Sequence, residues 1–391
     1  MTLSQLFKYA YPFTDFLYLL QLEEYDTKRY FSLLPRFYER RSIQKRGSLI
    51  MTGRIRTIFI ISAPLSLIFP PLLPIFVGFA NALLQPSFQI AHWVIRQKAT
   101  AYFKTHGSQT QVIAIAGSFG KTTTRKYIYE LLRYNYRVQT TPGNINTPTG
   151  IASWILHSFK PSTEILIIEV DPYFKGEIAQ SLRILPPDVA VLTNVGDQHL
   201  ARFESQSELS QALHEVFEFA KKGALHIKGT GDNSVAAMAV AHHYKIPDDI
   251  ITDTLQKVQL PDRRGNVVTV HGFEVIDQSY NISEKTALQA ISSAKKRSEE
   301  EKKKLIVITA GIPELGKENA HAHSNVGKFL NSHADVVVLL RSIFFSELSA
   351  QIGEDKIKKA HSMDEAWNIT MTFDPEEYII LQLPELTDVY Y

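Results

Sequence analysis

The 391-residue sequence contains no cysteine. That absence excludes disulfides, cysteine zinc sites and thiol catalysis together, and it fits a reducing compartment. An excess of charge of either sign is also lacking, since 42 basic and 40 acidic residues leave a formal net charge of +2. A whole-chain basic field, the footprint of a dedicated nucleic-acid binder, is therefore missing. Internal repeats and low-complexity tracts are missing too. What remains is 45% hydrophobic and 21% charged, a globular composition that excludes a mostly disordered chain. The length suggests two or three domains with ample core.

The most local absence is of charge. From Thr57 to Ile95 there is no Asp, Glu, Lys or Arg. The run is longer than the ~20 apolar residues a bilayer span needs. It starts too far along the chain to read as a signal peptide. Pro64, Pro70, Pro71 and Pro74 interrupt it, and proline removes a backbone donor and breaks a straight helix. Basic residues flank both ends: Arg40, Arg41, Lys45, Arg46, Arg54 and Arg56 before, Arg96, Lys98 and Lys104 after. Positive charge stays cytoplasmic, so the pattern favours a re-entrant hairpin turning at Pro70-Pro71 over one straight span. A buried hairpin of a soluble domain is the other reading. Residues 1–50, with aromatic and Leu residues at helical spacing, suit an interfacial amphipathic helix or an ordinary surface helix.

Beyond a polar linker at 104–111, the apolar runs VIAIA (112–116), EILIIEV (164–170) and DVAVLTNV (188–195) alternate with helical patterns. Such alternation predicts a parallel, doubly wound α/β domain. Composition breaks near Leu260-Pro261-Asp262. Two short strands, NVVTV and FEVID, follow, then a helix from about Glu284 ending in the solvated charge run RSEEEKKK. KLIVITA (304–310) and DVVVLL (335–340) restart the alternation in a smaller α/β domain. The expected organisation is a helical membrane-associated region over 1–105 with its apolar hairpin at 57–95, a central ATP-binding domain over 106–275, and a C-terminal domain over 276–391.

The strongest motif is AGSFGKTTTR (116–125), a strand running through a glycine turn into a helix. Backbone N–H groups of such a turn and the helix N-terminus hold phosphate oxygens. Lys121 adds a point charge, and the Thr122 hydroxyl is placed to ligate Mg²⁺. Gly117 and Gly120 are separated by two residues, where the general phosphate loop has four.

This G-x-x-G-K-T-T form resembles the Mur ligase family, which uses ATP to join amino acids or peptides to a carboxylate. The likeness is nearest to the branch that adds a dipeptide to a muramoyl-tripeptide. It continues through TTPGNINTPTG (140–150), EVDPYFKGEI (169–178), PDVAVLTNVGDQHLARFES (187–205), PDRR (261–264), IDQSYNIS (276–283) and GIPELGKENAHAHSNVG (311–327), in the family's order. The resemblance implies that Gly117, Ser118, Phe119, Gly120, Lys121, Thr122 and Thr123 hold ATP phosphates. It makes Glu169 and His199 ligands of a further Mg²⁺, and a strand-end carboxylate suits a hard cation. Without the motif, His199 would read as a plain loop histidine. Arg263 would contact the outer phosphate or bridge domains, with Arg264 competing for the role. Tyr280 and Asn281 would border the adenine and Asp277 the ribose, although Asp and Asn at such positions also serve plain turns. Asn144, Asn146 and Thr147 would face the muramoyl-peptide. Lys121, Glu169, His199 and Arg263 form the implied catalytic set.

Three departures stand beside the likeness. A membrane-like element occupies residues 1–105, where the family usually has a domain for the UDP-sugar, which makes a lipid-linked substrate attractive beside a UDP-linked one. Leu213, next to Glu215, stands where the family usually has a carbamylated lysine that helps hold the second metal. Either His214 or another residue substitutes, or that metal is weak. The C-terminal Lys-Gly-Ser segment is replaced by YIILQLPELTDVYY. The implied activity is ATP-dependent amide-bond formation on a muramoyl-peptide carboxylate, with an amino acid or dipeptide as the amine, at the cytoplasmic face of the membrane and without nucleic acid. A non-ligating ATP-binding scaffold at the membrane, and a mechanical or transport ATPase, are the competing readings.

Overall fold

The computed structural model describes residues 13–38, 49–143, 145–196, 202–203, 205–230, 232–258, 266–279, 282–312, 315 and 318–383. The chain divides into two compact units, Met1–Val94 and Ile95–Leu386.

The first unit is helical. Helices α1 (Phe13–Leu22), α2 (Thr27–Tyr38) and α3 (Gly53–Ile68) precede a short 3-10 turn at Pro70–Leu72 and the long helix α4 (Leu73–His106), which runs on into the second unit. The chain turns where the Pro70-Pro71 pair was expected to turn it. Pro64 and Pro86, by contrast, lie inside α3 and α4 without ending them. Thr52 caps α3 by accepting from the Ile55 N–H. Phe16, Leu17, Leu20, Tyr30, Ile55, Ile58, Val77 and Ala80 form one buried core among the four helices.

The second unit opens on a five-stranded sheet: β1 (Gln111–Ala116), β2 (Val138–Thr140), β3 (Ile165–Glu169), β4 (Val189–Leu192) and β5 (Leu225–Lys228). The strand order is β2-β3-β1-β4-β5, and every pairing is parallel. Central strand β1 is covered on both faces, which explains its continuous apolar run. Val112, Ala114 and Ala116 face one core with helices α6 (Pro148–Ser158), α7 (Glu177–Ile184) and α8 (Gln206–Glu218). Ile113 and Ile115 face the other, with α5 (Lys121–Leu132), α9 (Asn233–His243) and α10 (Asp248–Lys257).

A six-stranded sheet follows in the order β10-β9-β8-β11-β7-β6. Its strands are β6 (Asn266–Val270), β7 (Phe273–Asp277), β8 (Lys304–Thr309), β9 (Val336–Leu340), β10 (Ile357–Ala360) and β11 (Tyr378–Gln382). Only β6 and β7 pair antiparallel, as a hairpin whose turn takes His271 and Gly272 to positive φ. Helices α11 (Glu284–Glu300), α12 (Asn319–His333), α13 (Phe345–Ser349) and α14 (Met363–Thr370) connect the rest. Ser283 and Thr286 form a capping box at the start of α11.

Two findings differ from the sequence reading. Both strands of the 266–277 hairpin belong to the second sheet, so the change of sheet lies near the composition break at 260–262 and upstream of the expected 275/276 domain boundary. The YIILQ segment, to which the sequence reading assigned no element, is strand β11, paired in parallel between β8 and β7 near the middle of that sheet.

Candidate nucleotide-binding site

The phosphate loop sits at the carboxyl end of β1, where ligands bind in open α/β sheets. Gly117 and Gly120 take φ of 142° and 84°, the left-handed region that glycine adopts without strain. Space demands glycine as well. A Cβ at Gly117 would lie 2.1 Å from Thr193 Oγ1, and one at Gly120 would lie 2.0 Å from Asn233 Oδ1. The neighbouring strand end holds the loop in place. Ser118 donates its backbone N–H to the Asn194 carbonyl (2.7 Å), and the Ser118 hydroxyl donates to the Gly196 carbonyl (3.1 Å). Thr193 Oγ1 donates to the carbonyls of Phe119 (2.5 Å) and Ala116 (3.2 Å). Gly120 is the N-cap of α5 and supplies no side-chain cap, so the first N–H groups of that helix remain available to an anion.

Four charged side chains converge beside the loop, all largely buried. Lys121 Nζ lies 3.2 Å from Asp171 Oδ2 and donates to the Gly117 carbonyl. Glu169, at the end of β3, accepts from Thr122 Oγ1 (3.0 Å) on one oxygen and lies 2.9 Å from Arg125 Nε on the other. Arg125 also donates to the Thr141 carbonyl, which ties α5 to the 140–150 loop. The register explains the convergence, since Ile115 pairs with Glu169 across the two central strands. Two cations and two carboxylates, each with an opposite charge nearby, make burial tolerable. Phosphate oxygens entering the loop would compete with Asp171 for Lys121.

The sequence-expected residues distribute unevenly. Gly117, Ser118, Phe119, Gly120, Lys121, Thr122 and Thr123 form one continuous loop and helix start, with Glu169 beside them. Thr147 caps α6 by accepting from the Gly150 N–H (3.3 Å), and the Asn146 carbonyl accepts from the Asp171 N–H (3.4 Å). The 140–150 segment thus touches the charged cluster through its backbone. Asp277, at the end of β7, accepts from the Ser279 N–H (3.0 Å), a local turn contact. Asn144, His199, Arg263, Arg264, Tyr280 and Asn281 lie outside the described residues.

Asp171 and Arg125 were not singled out in the sequence, and both had a signal. Asp171 follows Glu169 by two positions at a strand end, the spacing of one sheet face, and Arg125 follows Lys121 by four on one helix face.

Leu213 is packed into the core between the sheet and α8, 1% exposed. His214 bonds back to the Ser210 carbonyl through Nδ1 (2.8 Å), and its ring meets Phe217 edge-on. Glu215 instead accepts from the Gly176 N–H (2.7 Å) and the Ala179 N–H (3.0 Å), capping α7 and fixing the segment after Asp171. Among the described residues no three His, Cys, Asp or Glu side chains gather as a metal cage. The donors present, the Thr122 hydroxyl and the Glu169 carboxylate, are hard oxygens. That set fits Mg²⁺ held jointly with nucleotide phosphates, the usual manner for this ion.

A second strand end is built differently. After β8, His323 is fully buried; its Nε2 accepts from the Ile312 N–H (2.9 Å) and its Nδ1 lies 2.6 Å from the Asn319 carbonyl. The ring stacks on Phe344 at 4.1 Å. Burial holds the imidazole below the ordinary histidine pKa, so the ring is neutral and Nδ1 is the donor.

Comparison with known proteins accords with this geometry. Residues 115–257 match the Mur ligase middle domain. The UDP-N-acetylmuramoyl-tripeptide–D-alanyl-D-alanine ligase of Bacillus subtilis (strain 168) is 33% identical over 184 residues, 46% of this chain and 39% of that protein. The enzyme of the same name from Buchnera aphidicola subsp. Acyrthosiphon pisum is 24% identical over 311 residues, 63% of this chain and 65% of its own. The matched segments thus span less than two thirds of either relative. Among solved structures, MurF ligase from Thermotoga maritima in complex with ADP superposes with a TM-score of 0.66 at 22% identity, covering 75% of this chain and 80% of that one. MurF from Acinetobacter baumannii gives 0.65 at 20% identity, covering 75% and 77%. At these identities the structural likeness establishes the fold.

Proposed function

We propose that this chain, whose residues 115–257 match the Mur ligase middle domain and which is MurF-like in sequence, is a Mur-family ATP-dependent ligase forming an amide bond on a muramoyl-peptide carboxylate in peptidoglycan synthesis. The acceptor carboxylate oxygen attacks the outer phosphorus of ATP, and ADP leaves with the bridging oxygen. An amine then attacks the acyl phosphate carbon, loses a proton and expels inorganic phosphate. The amine is an amino acid or dipeptide, D-alanyl-D-alanine being the one in the name of the relatives. The single observation carrying this reading is the loop from Gly117 to Thr123, with Lys121 and Thr122 each meeting a carboxylate from the end of β3.

The chain's own work is positioning and charge neutralisation. Gly117 and Gly120 let the backbone approach the phosphates closely. Lys121 exchanges Asp171 for phosphate oxygens and offsets charge that develops as ADP leaves. Arg125 orients Glu169 and, through the Thr141 carbonyl, the loop carrying Asn144, Asn146 and Thr147 towards the acceptor. Thr122 and Glu169, with His199, would hold Mg²⁺, which when bound polarises the phosphoryl oxygens. Arg263 is assigned to the outer phosphate, and Asp277, Tyr280 and Asn281 to the nucleoside.

The ligase acts at the cytoplasmic face of the membrane, on a UDP-linked or lipid-linked acceptor. The 57–95 segment supports that location: it is uncharged, and α4 is long and apolar enough to cross a membrane by length and composition.

A second reading has one specific observation in its favour. Leu213 fills core space and offers no metal ligand, as a non-ligating ATP-binding scaffold would allow. Phosphate release by full-length protein in detergent separates the two. It is measured with ATP and D-alanyl-D-alanine, with UDP-N-acetylmuramoyl-tripeptide or with lipid-linked muramoyl-peptide as acceptor. Acceptor-dependent release with a product of the summed mass establishes the ligase. ATP binding without acceptor-dependent release overturns it in favour of the scaffold.

A further inference from the structure

We infer that the N-terminal helical unit enters a single leaflet of a phospholipid bilayer, turn first, and that Arg54 seats on a lipid phosphate at the leaflet surface. This rests on the membrane reading above and adds to it a depth, an orientation and a headgroup contact.

The α3–α4 hairpin has two unlike faces. Ile55, Ile58, Val77 and Ala80 are buried in the core shared with α1 and α2. The other face and the turn are apolar and open: Ile60, Leu67 and Ile68 are 68%, 69% and 68% exposed, with Phe69, Phe79 and Leu83 beside them at 56%, 59% and 60%. So large an apolar surface on a soluble protein marks an interaction site. No charged side chain interrupts it, since none occurs between Thr57 and Ile95.

A belt of polar side chains crosses this surface on the side away from the turn, with Ile90 and Trp93 exposed further along α4. Arg54 Nη2 donates to Asn81 Oδ1 (2.7 Å) and to Gln85 Oε1. Asn81, itself fully buried, donates to the Tyr25 carbonyl (2.9 Å) and to Thr27 Oγ1 (2.8 Å). The Tyr25 hydroxyl meets Thr52 Oγ1 at 3.0 Å. The guanidinium lies 4.2 Å from the Tyr25 ring centroid and 4.8 Å from that of Phe88. Every one of these partners is neutral. Among the described residues Arg54 is half-buried, fixed in place, and paired with no carboxylate. A phosphodiester supplies the missing counter-charge; Nη2 is engaged by Asn81 and Gln85 and Nε is enclosed, which leaves Nη1 to donate to a phosphate oxygen.

Helix geometry sets the depth. At about 1.5 Å per residue, Asn81 lies roughly 12 Å and Gln85 roughly 18 Å along α4 from Leu73. Those distances bracket half of the ~30 Å hydrocarbon core. From Arg54 to Ile68, α3 covers about 21 Å, too short for both leaflets, and tilt accommodates the excess over one. The belt therefore sits at the phosphates when the turn reaches the bilayer midplane.

The absence of cysteine allows single reporters in the full chain. Flotation with phosphatidylcholine vesicles, with and without phosphatidylglycerol, measures binding. A fluorophore on Leu72→Cys or Met51→Cys reports depth through lipids carrying a quencher at the headgroup or near the chain end. We expect residue 72 to be quenched most by the chain-end probe and residue 51 by the headgroup probe. Arg54→Gln should lower phosphatidylglycerol-dependent flotation several-fold. Arg54→Lys should retain part of it, and Arg56→Gln, the same charge loss at an exposed neighbour, should change it far less. Failure to float with either lipid overturns the membrane reading and this inference together. Flotation with residue 72 open to a water-soluble maleimide from the far side overturns the single leaflet and leaves membrane association standing. Equal losses in Arg54→Gln and Arg56→Gln overturn the phosphate seat alone.

Discussion

The ends of β1 and β8 each hold a loop at the carboxyl edge of a sheet, and they do so with opposite chemistry. After β1 the contacts are between full charges: Lys121 with Asp171, Arg125 with Glu169. After β8 they run through one neutral imidazole, His323, locked by two hydrogen bonds and a stacked ring. Charges brought together in a confined space keep a strong claim on any new charge that arrives, so the first arrangement can exchange partners with a phosphate. The second gains nothing from an incoming ion and loses its geometry if protonated. One strand end is built to change partners and the other to keep them.

The largest test strikes the exchanging end. Lys121→Ala should lower acceptor-dependent phosphate release by a factor on the order of 100 to 1,000, the usual cost of removing one preorganised transition-state contact. Unchanged turnover would break the assignment of the loop. At the keeping end, His323→Ala strands the Ile312 N–H and opens a cavity against Phe344, for a loss of about 2–4 kcal/mol in urea unfolding. A loss below about 0.5 kcal/mol would mean that His323 does not hold its loop.

A pH series sharpens the same contrast. The folded pKa of His323 is depressed by burial, so the unfolded chain binds the proton more readily. Its contribution is fully present above the unfolded value near 6.5 and is lost as pH falls below that, at a slope no steeper than about 1.4 kcal/mol per pH unit for one proton. Urea melts between pH 8 and pH 5 should show this slope in the native protein and a shallower one in His323→Ala; parallel curves would remove His323 as the source. The smallest effect is expected at the α11 cap, where Ser283→Ala should cost about 1 kcal/mol, read as a shift in the thermal midpoint, without changing the nucleotide affinity.

The sequence carried these two ends unequally. The phosphate loop was legible because its chemistry is local: two glycines, a lysine and a threonine within seven residues, between an apolar strand and a helix. β1, β3 and β4 were legible because both faces are covered, which leaves unbroken apolar runs. Strands β2, β5 and β10 were not, since VQT, LHIK and IKKA are short segments at sheet edges with one side open. β11 was missed for another reason. Its apolar YIILQ run is plain, but its place between β8 and β7 depends on pairing with residues 274–277 and 304–308, a fact about topology that no local pattern encodes. Asp171 and Glu215 likewise acquire meaning only from the groups the fold sets beside them.

The pairing of β1 has a consequence for how the protein is made. Its neighbours, β3 and β4, come from residues 165–169 and 189–192, and the phosphate loop is pinned by Thr193, Asn194 and Gly196. A ribosome that has released only the first 150 residues has delivered the whole nucleotide motif and none of the frame that shapes it. Parallel pairings between distant segments form slowly. Competence to bind nucleotide therefore arrives late, as a property of the closed sheet, and a nucleotide that binds only the finished loop draws the last step of folding forward.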